Sequence, residues 1–571
     1  MTDWKCTNCD HVETGESPPE ECPECGSSEE GFSLLKNDQE KKKGERTVSD
    51  VIVDQLVACG VKYVFGIPGY SCLGVVEAIR KHPDVEFILV RHEQTAAMMA
   101  SAYAKTSGKV GVCLTIAGPG ATNLMTGLYD AKMDRAPVLA LTGQVGLQYI
   151  GPGSFQEIDQ ASLFESVSVF NQTLSSKEQT TELVSLALKH ALIERGVAHL
   201  SLPTDVQEQA WDDEPKPMEG RIAPNEVVPS KALIEKAVDL VKNAERPVII
   251  AGWGSMGEPE LVKKLARKIG APVACTYRAK GIIPDDDEHG LGLLGFSGTP
   301  LARKYANGSD LLVVLGSSFS ELTKIPDRPI LQVDFDPMMI SKRAPVTLGL
   351  VGEMSVTLPA LIDAFPNKAN YFSKTLEEDK RKFRERLVKE ARETIPMRPQ
   401  YIIKALTEVI DDEAIIAVDS GDNTHWFGRN FITKKQRILI SGYLGTMAFG
   451  LPASLGAQLA EPDKQVVCIT RDGGFGMAMA DFTTAVKFDL PINVVVFNNN
   501  ALGMIRWEQE LDGYPNYSTD LRNPNFADHA ASSGGLGFRV EEPSELRPAL
   551  EKALASNKPA LVDVVSDPKS H

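Results

Sequence analysis

Apolar runs of strand length, each followed by a longer amphipathic stretch, recur along most of the chain, among them VKYVFGI, EFILV, VGVCLTI, PVIIAG, LLVVLG, AIIAVD, QVVCIT and INVVVFN. A strand buried on both faces reads as a continuous apolar run, and strand-helix alternation returns each strand parallel to the last. The pattern therefore demands parallel sheets covered by helices. At 571 residues the chain exceeds what one core can fill, and length alone suggests roughly three or four domains. The expected class is α/β, with three doubly wound parallel-sheet domains at 46–220, 228–366 and 395–571. A charged stretch at 367–394, KTLEEDKRKFRERLVKEARET at its centre, reads as a solvated linking helix, and a second charged linker at 36–45 follows a small N-terminal domain at 1–35.

That N-terminal domain carries two Cys-x-x-Cys knuckles, Cys6/Cys9 and Cys22/Cys25, separated by a stretch with turn residues Gly15, Pro18 and Pro19. Such spacing lets four thiolates converge on one metal, and tetrahedral sulfur suits zinc or iron. The other cysteines are scattered singly through apolar surroundings and read as small buried hydrophobes, which fits a reducing compartment. A net charge of −17 argues against electrostatic binding to nucleic acid or anionic lipid. No apolar run reaches the roughly 18 residues of a membrane span, and the polar start MTDWKCTNCDH is no secretory signal, so a cytoplasmic location is expected. The run WKCTNCDHVETGESPPEECPECG also resembles the short rubredoxin-like domain of rubrerythrins, a resemblance that implies a single iron and one-electron chemistry.

The stretch QVVCITRDGGFGMAMADFTTAVKFDLPINVVVFNNNALGM reads as strand, acidic turn with Gly473 and Gly474, helix, strand, and an Asn run at the strand end. Ligands of doubly wound sheets bind at such ends. Asp472 and Asn499, 27 positions apart, can bring a carboxylate and an amide oxygen to one hard cation such as Mg²⁺. Each also has a plainer reading, as a helix cap or a turn residue. Together they resemble the diphosphate motif of thiamine diphosphate enzymes. That resemblance implies Asp472, Asn499 and the carbonyl of Ala501 as ligands of the metal that clamps the cofactor diphosphate. Arg471 stands where the family has glycine, and beside a diphosphate an arginine is either an additional anion contact or the cause of a changed loop.

FILVRHEQTAAMMASAYAKTSGKVGVCLTIAGPGATN is similar to the pyrimidine-binding domain of the same family. The resemblance makes Glu93 the carboxyl group that hydrogen-bonds the aminopyrimidine, and Gly118, Pro119 and Asn123 part of the turn lining the cofactor pocket. Without it, Glu93 is a first-turn carboxylate favoured by the helix dipole. In ISGYLGTMAFGLPASLGAQLA the resemblance gives Gly445 a carbonyl contact to the cofactor and makes Met447 the wedge that bends it. Glu93 and Asp472 fall in different domains, and the family joins two subunits at the site, so a homodimer or homotetramer is implied.

The middle domain holds a GxGxxG at Gly252, Gly254 and Gly257 without the acidic residue expected downstream, a weak dinucleotide signal. TYRAKGIIPDDDEHGLGLLGFSG, LGSSFSE and ILQVDFDP resemble the flavin domain of pyruvate oxidases and acetolactate synthase, implying that Arg278, Phe296, Ser297 and Asp334 line FAD. GPGSFQEIDQASLFE resembles their FQE loop, in which Phe155 and Gln156 approach the reacting carbon. The main expectation is a pyruvate oxidase-like oxidoreductase that decarboxylates a 2-oxo acid, most simply pyruvate. Its electrons pass to FAD and then to the rubredoxin-like iron or a soluble carrier. The alternatives are an acetolactate synthase-type carboligase with a non-redox flavin, and a non-catalytic member whose arm is an interaction module.

Overall fold

The computed structural model describes residues 2–9, 11–15, 17–28, 31–34, 46–224 and 226–569. The linker expected at 36–45 lies outside the described residues. The N-terminal arm is a small antiparallel sheet in which β1 (Thr2–Cys6) lies between β2 (Val12–Gly15) and β3 (Phe32–Leu34). Its core is little more than Cys6, Cys22 and Phe32 with Trp4 packed against them, too small to hold a fold without a staple.

Three six-stranded sheets follow, all parallel. The first contains β4 (Tyr63–Gly66), β5 (Glu86–Leu89), β6 (Gly111–Thr115), β7 (Val138–Gln144), β8 (Ser168–Thr173) and β9 (Val197–Pro203), in the order β5-β4-β6-β7-β9-β8. The second contains β10 (Pro247–Ala251), β11 (Val273–Cys275), β12 (Gly290–Leu293), β13 (Leu311–Leu315), β14 (Ile330–Asp334) and β15 (Leu348–Val351), in the order β12-β11-β10-β13-β14-β15. The third contains β16 (Ile415–Val418), β17 (Arg437–Leu439), β18 (Val466–Arg471), β19 (Asn493–Asn498), β20 (Leu536–Val540) and β21 (Ala560–Val565), in the order β17-β16-β18-β19-β21-β20. The first and third sheets thus share one topology, and the second has another. In all three the central strands are buried throughout, which is why they read as mostly apolar runs without alternation.

Where strand order reverses, the loops leaving the two neighbouring strands part and open a crevice at their C-terminal ends. These switch points lie between β4 and β6, between β10 and β13, and between β16 and β18. The first and third sheets are joined by helix against helix: Glu93–Ser107, rich in Ala and Met and buried on nearly every side, packs along Gly450–Ala460, equally rich in small residues. Glu93–Ser107 starts under a His92 ring that accepts the amide N–H of Gln94 and ends at Gly108, φ 72°, a left-handed stop that glycine adopts without strain.

At the junction of the three domains, Lys105 is 2% exposed and donates to Asp130 (2.8 Å) and Asp134 (2.7 Å). Asp134 in turn accepts the backbone N–H groups of Gly442 (2.9 Å) and Tyr443 (3.2 Å) and lies 3.6 Å from Arg278. One buried network therefore draws on all three sheets. The charged helix Ser373–Glu390 is not free in solvent along its length, since Leu376 is buried beside Tyr305 and Phe372 of the second domain's flank.

Candidate functional site

The β16/β18 switch point gathers the densest buried polar chemistry. Asp419, just past β16, is buried, and its carboxylate accepts Thr470 Oγ1 (2.8 Å) and the N–H groups of Ser420 (2.8 Å) and Phe449 (3.1 Å). Burial outweighs those bonds and pushes its pKa up to about 6. β18 runs straight into a helix at Asp472 (Asp472–Ala478). The acidic turn expected from the sequence at Gly473 and Gly474 is thus the first turn of this helix. Asp472 is fully buried; its Oδ2 accepts the N–H of Ala501 (3.2 Å) and Asn523 Nδ2 (2.8 Å), and its Oδ1 has no partner.

Asn499 Oδ1 accepts the same Ala501 N–H (3.1 Å), so the two side chains expected at a cation meet at one point although they follow different strands, β18 and β19. Burial raises the pKa of Asp472, and the neighbouring Arg471 opposes that shift. A buried carboxylate with one oxygen unpaired and hard oxygen donors beside it fits a divalent cation of the Mg²⁺ class. Gly473 lies against Leu502, Leu521 and the Met447 side chain, placing Met447 beside this turn. Gly445 has φ 65°, and Ala448, one residue past Met447, has φ 68°. A non-glycine residue held in that region is strained, and such strain concentrates at working sites.

The first sheet carries a second half-site. Glu93 is the first residue of its helix, beyond β5, and its Oε2 accepts Asn123 Nδ2 at 2.9 Å. Asn123 closes the short helix Pro119–Asn123, which Gly118 enters with φ 63°. A Cβ on Gly118 would lie 2.9 Å from the Gln156 carbonyl; only glycine lets the FQE loop approach. Gln156 itself has φ 63°, and Phe155 beside it is 88% exposed. Glu157 ties the loop down by accepting the N–H groups of Gly151 (2.8 Å), Gly153 (2.9 Å) and Ser154 (3.2 Å), which hold its pKa below the usual carboxylate range. Asp481 of the third domain reaches across to accept the Arg91 N–H (2.7 Å) and Thr95 Oγ1 (2.6 Å), fixing the helix start that presents Glu93.

In the second domain, Gly252 and Gly254 pack directly on Gly316 across the β10/β13 switch point. Arg278 stacks over Trp253 (4.6 Å) and donates to the Asp134 carbonyl (2.6 Å). Phe296 and Ser297 face the third domain, with Phe296 edge-on to His425 (4.7 Å) and Ser297 Oγ 2.5 Å from its Nδ1. Asp334 is buried at the end of β14, its Oδ1 accepting the Asp336 N–H (3.1 Å). A cavity of about 510 Å³ opens at the domain junction, lined by Trp253, Gly254 and the cationic side chains of Arg135, Arg195, Lys435 and Arg437. Gly254 and Gly257 of the GxGxxG motif line it and Gly252 does not; Arg278, Phe296, Ser297 and Asp334, the residues expected around a flavin, lie outside its lining.

In the arm, the sulfur atoms of Cys6, Cys9, Cys22 and Cys25 all lie within 4.8 Å of one another, and two of the pairs are 3.5 Å apart. Metal–sulfur bonds of about 2.3 Å in a tetrahedron imply sulfur–sulfur separations near 3.8 Å, so the four thiols fit one metal. The backbone N–H of Asn8 draws the Cys6 thiol down to about 6 against the burial that raises it. Asn523 and Asp422, which bind Asp472 and Arg471, went unnoticed in the sequence, because an Asn 51 positions downstream of its partner leaves no local signal.

Residues 419–564 match the family described as the C-terminal TPP binding domain of thiamine pyrophosphate enzymes, 46–163 its N-terminal TPP binding domain, and 234–361 its central domain. Residues 4–33 match the rubredoxin-like domain of rubrerythrin. The chain is 39% identical over 525 residues to the Bacillus subtilis "Putative thiamine pyrophosphate-containing protein YdaP", covering 91% of this chain and 92% of that one. It is 36% identical over 551 residues to the "Probable acetolactate synthase large subunit" of Methanocaldococcus jannaschii, covering 91% and 92%. It is also 33% identical over 530 residues to the "Acetolactate synthase isozyme 2 large subunit" of Escherichia coli, covering 90% and 95%.

Proposed function

This chain belongs to the thiamine pyrophosphate enzyme family, and from that premise we propose that it decarboxylates a 2-oxo acid and joins the remaining fragment to a second 2-oxo acid. The observation that carries this reading is similarity to acetolactate synthase large subunits along nearly the full length of both chains. It displaces the oxidative decarboxylation expected from sequence as the leading reading. Thiamine diphosphate, when bound, supplies the electron sink that accepts the pair left behind as CO₂ departs.

The residues present suit that cofactor. Asp472, Asn499 and the Ala501 carbonyl would hold Mg²⁺ at the diphosphate, with the unpaired Asp472 Oδ1 as the strongest donor. Glu93, steadied by Asn123, holds or releases a proton at a ring nitrogen. Met447 and the Gly445 carbonyl orient the ring, and Phe155 and Gln156 form the wall that meets the second substrate. Glu93 keeps its partner within the first domain and Asp472 its partners within the third, and the family resemblance, which joins such half-sites across two subunits, is what calls for two chains. Large exposed apolar groups beside both half-sites, Phe155 (88%), Tyr70 (82%), Tyr517 (79%) and Met477 (63%), support a homodimer or homotetramer buried there. The cationic cavity at Trp253 and Gly254 supports binding of FAD through its phosphates.

A second reading, an oxidase, is favoured by the four-cysteine arm, because iron there would carry single electrons from a reduced flavin to a soluble carrier. Purified protein given pyruvate, thiamine diphosphate and Mg²⁺ without oxygen separates the two. Acetolactate forming while the flavin stays oxidised supports the carboligase. Bleaching of the flavin followed by loss of a ferric thiolate band replaces it with the oxidase.

A further inference from the structure

Arg471 occupies the family's glycine position at the head of the diphosphate turn, and nothing in the reading above uses it. Its side chain is 6% exposed, and one nitrogen, Nη1, forms an ion pair with Asp422 Oδ1 at 2.8 Å. Its Nε and Nη2 are buried without a partner. Buried donors in folded proteins are satisfied, and a buried guanidinium with two idle N–H groups is costly unless a ligand completes it. Nε and Nη2 form one edge of the planar fork, the edge that matches two oxygens of a phosphate group.

That edge sits at the start of the helix Gly503–Leu511. A Cβ on Gly503 would lie 2.5 Å from Asp422 Oδ2, 3.1 Å from Arg471 Nη2 and 3.2 Å from Asn499 Nδ2, so only a bare glycine lets the Arg471–Asp422 pair and the Asn499 amide close on this helix end. The helix has no side-chain cap hydrogen bond and no acidic residue in its own first turn; the Asp422 carboxylate approaches its start, and its first amide donors are open to a further oxygen ligand. The unpaired Arg471 donors, the Asn499 amide and this helix start thus converge beside the expected metal ligands.

We propose that Arg471, aimed by Asp422, is a resident cation of the diphosphate site that binds a phosphate group directly and makes cofactor retention less dependent on the divalent metal. The proposal rests on the functional reading above and adds a ligand that the family's glycine cannot supply. Asp422 holds Nη1 so that the opposite edge stays free for the anion, and the carboxylate of Asp472 keeps the metal.

The test uses the full chain stripped with EDTA and titrated with inorganic pyrophosphate, read by melting temperature and by fluorescence of Trp507 on the helix Gly503–Leu511. Wild type is expected to bind pyrophosphate without metal. Arg471→Lys keeps a cation beside Asp422 but loses the fork, so affinity should fall about tenfold or more, and Arg471→Gly should bind weaker still. In EDTA, wild type should also retain thiamine diphosphate binding that Arg471→Gly lacks. Wild type indifferent to pyrophosphate in EDTA, or a folded Arg471→Lys binding it as tightly as wild type, overturns the proposal. If wild type fails to bind thiamine diphosphate even with Mg²⁺, the functional reading falls with it. Normal binding with Mg²⁺ together with indifference to pyrophosphate sinks this inference alone.

Discussion

The first and third domains repeat one strand order, yet the ends of their strands carry opposite chemistry. The third places Asp419, Asp472 and the Arg471–Asp422 pair in the protein interior, with an unpaired acceptor on Asp472 and unpaired donors on Arg471. The first offers one half-buried carboxylate, a glycine turn and a loop whose Phe155 stands in solvent. Topology decides where a crevice opens. The side chains at the strand ends decide whether it grips a metal and an anion or faces an uncharged ring. On this contrast, the third domain governs cofactor retention and the first governs turnover.

The sharpest way to break the contrast is Glu93→Gln. Loss of a positioned proton-transfer group should lower kcat by roughly 10²–10⁴-fold while the dissociation constant for thiamine diphosphate, from fluorescence titration, stays within a few-fold; comparable loss of binding would merge the two roles. Next in size, Lys105→Met removes the buried cation shared by Asp130 and Asp134 and should cost about 3–5 kcal/mol of stability in urea unfolding, loosening the packing of the first domain on the third. Asp472→Ala should weaken cofactor binding in Mg²⁺ by about 100-fold, and full activity at saturating cofactor would remove it from the metal site.

The pH responses of the two domains should run in opposite directions. His199, fully buried and stacked on Phe164, has its pKa lowered by burial to about 3. The unfolded chain therefore binds the extra proton between about pH 6.5 and 3, and this group's contribution is lost as pH falls. Asp419 is the converse: with a folded pKa near 6, its contribution is present below about pH 4 and lost as pH rises through 6. His199→Gln should flatten the acid limb of a urea-midpoint profile, and Asp419→Asn the limb between pH 4 and 6. An unchanged profile in either variant removes that group from the account. Smallest of all, Phe155→Ala should change the stability of the isolated chain by under about 0.5 kcal/mol, because this exposed ring has its work at an interface or on a substrate.

Much of this was written in local sequence. Uninterrupted apolar runs specified parallel sheets, because a strand covered on both faces has no polar side to show. The spacing of Cys6, Cys9, Cys22 and Cys25 specified a metal clip, because two short knuckles hold thiolates in nearly fixed geometry. The helix beginning at Glu93 was legible from the change of period after EFILV. Short strands such as β11, β12 and β17 left a fainter trace, since three or four residues make no periodicity.

Only the tertiary structure decided how the ends of those elements meet. Arg278 reads as part of a flavin loop, yet it stacks on Trp253 and bonds Asp134 of another domain. Asn523 reaches Asp472, and Asp422 reaches Arg471, across separations that sequence does not mark. Side-chain periodicity is a property of neighbours along the chain and survives in the sequence. A pairing between loops of different strands depends on the order in which the sheet is assembled, so it exists only once the sheet does.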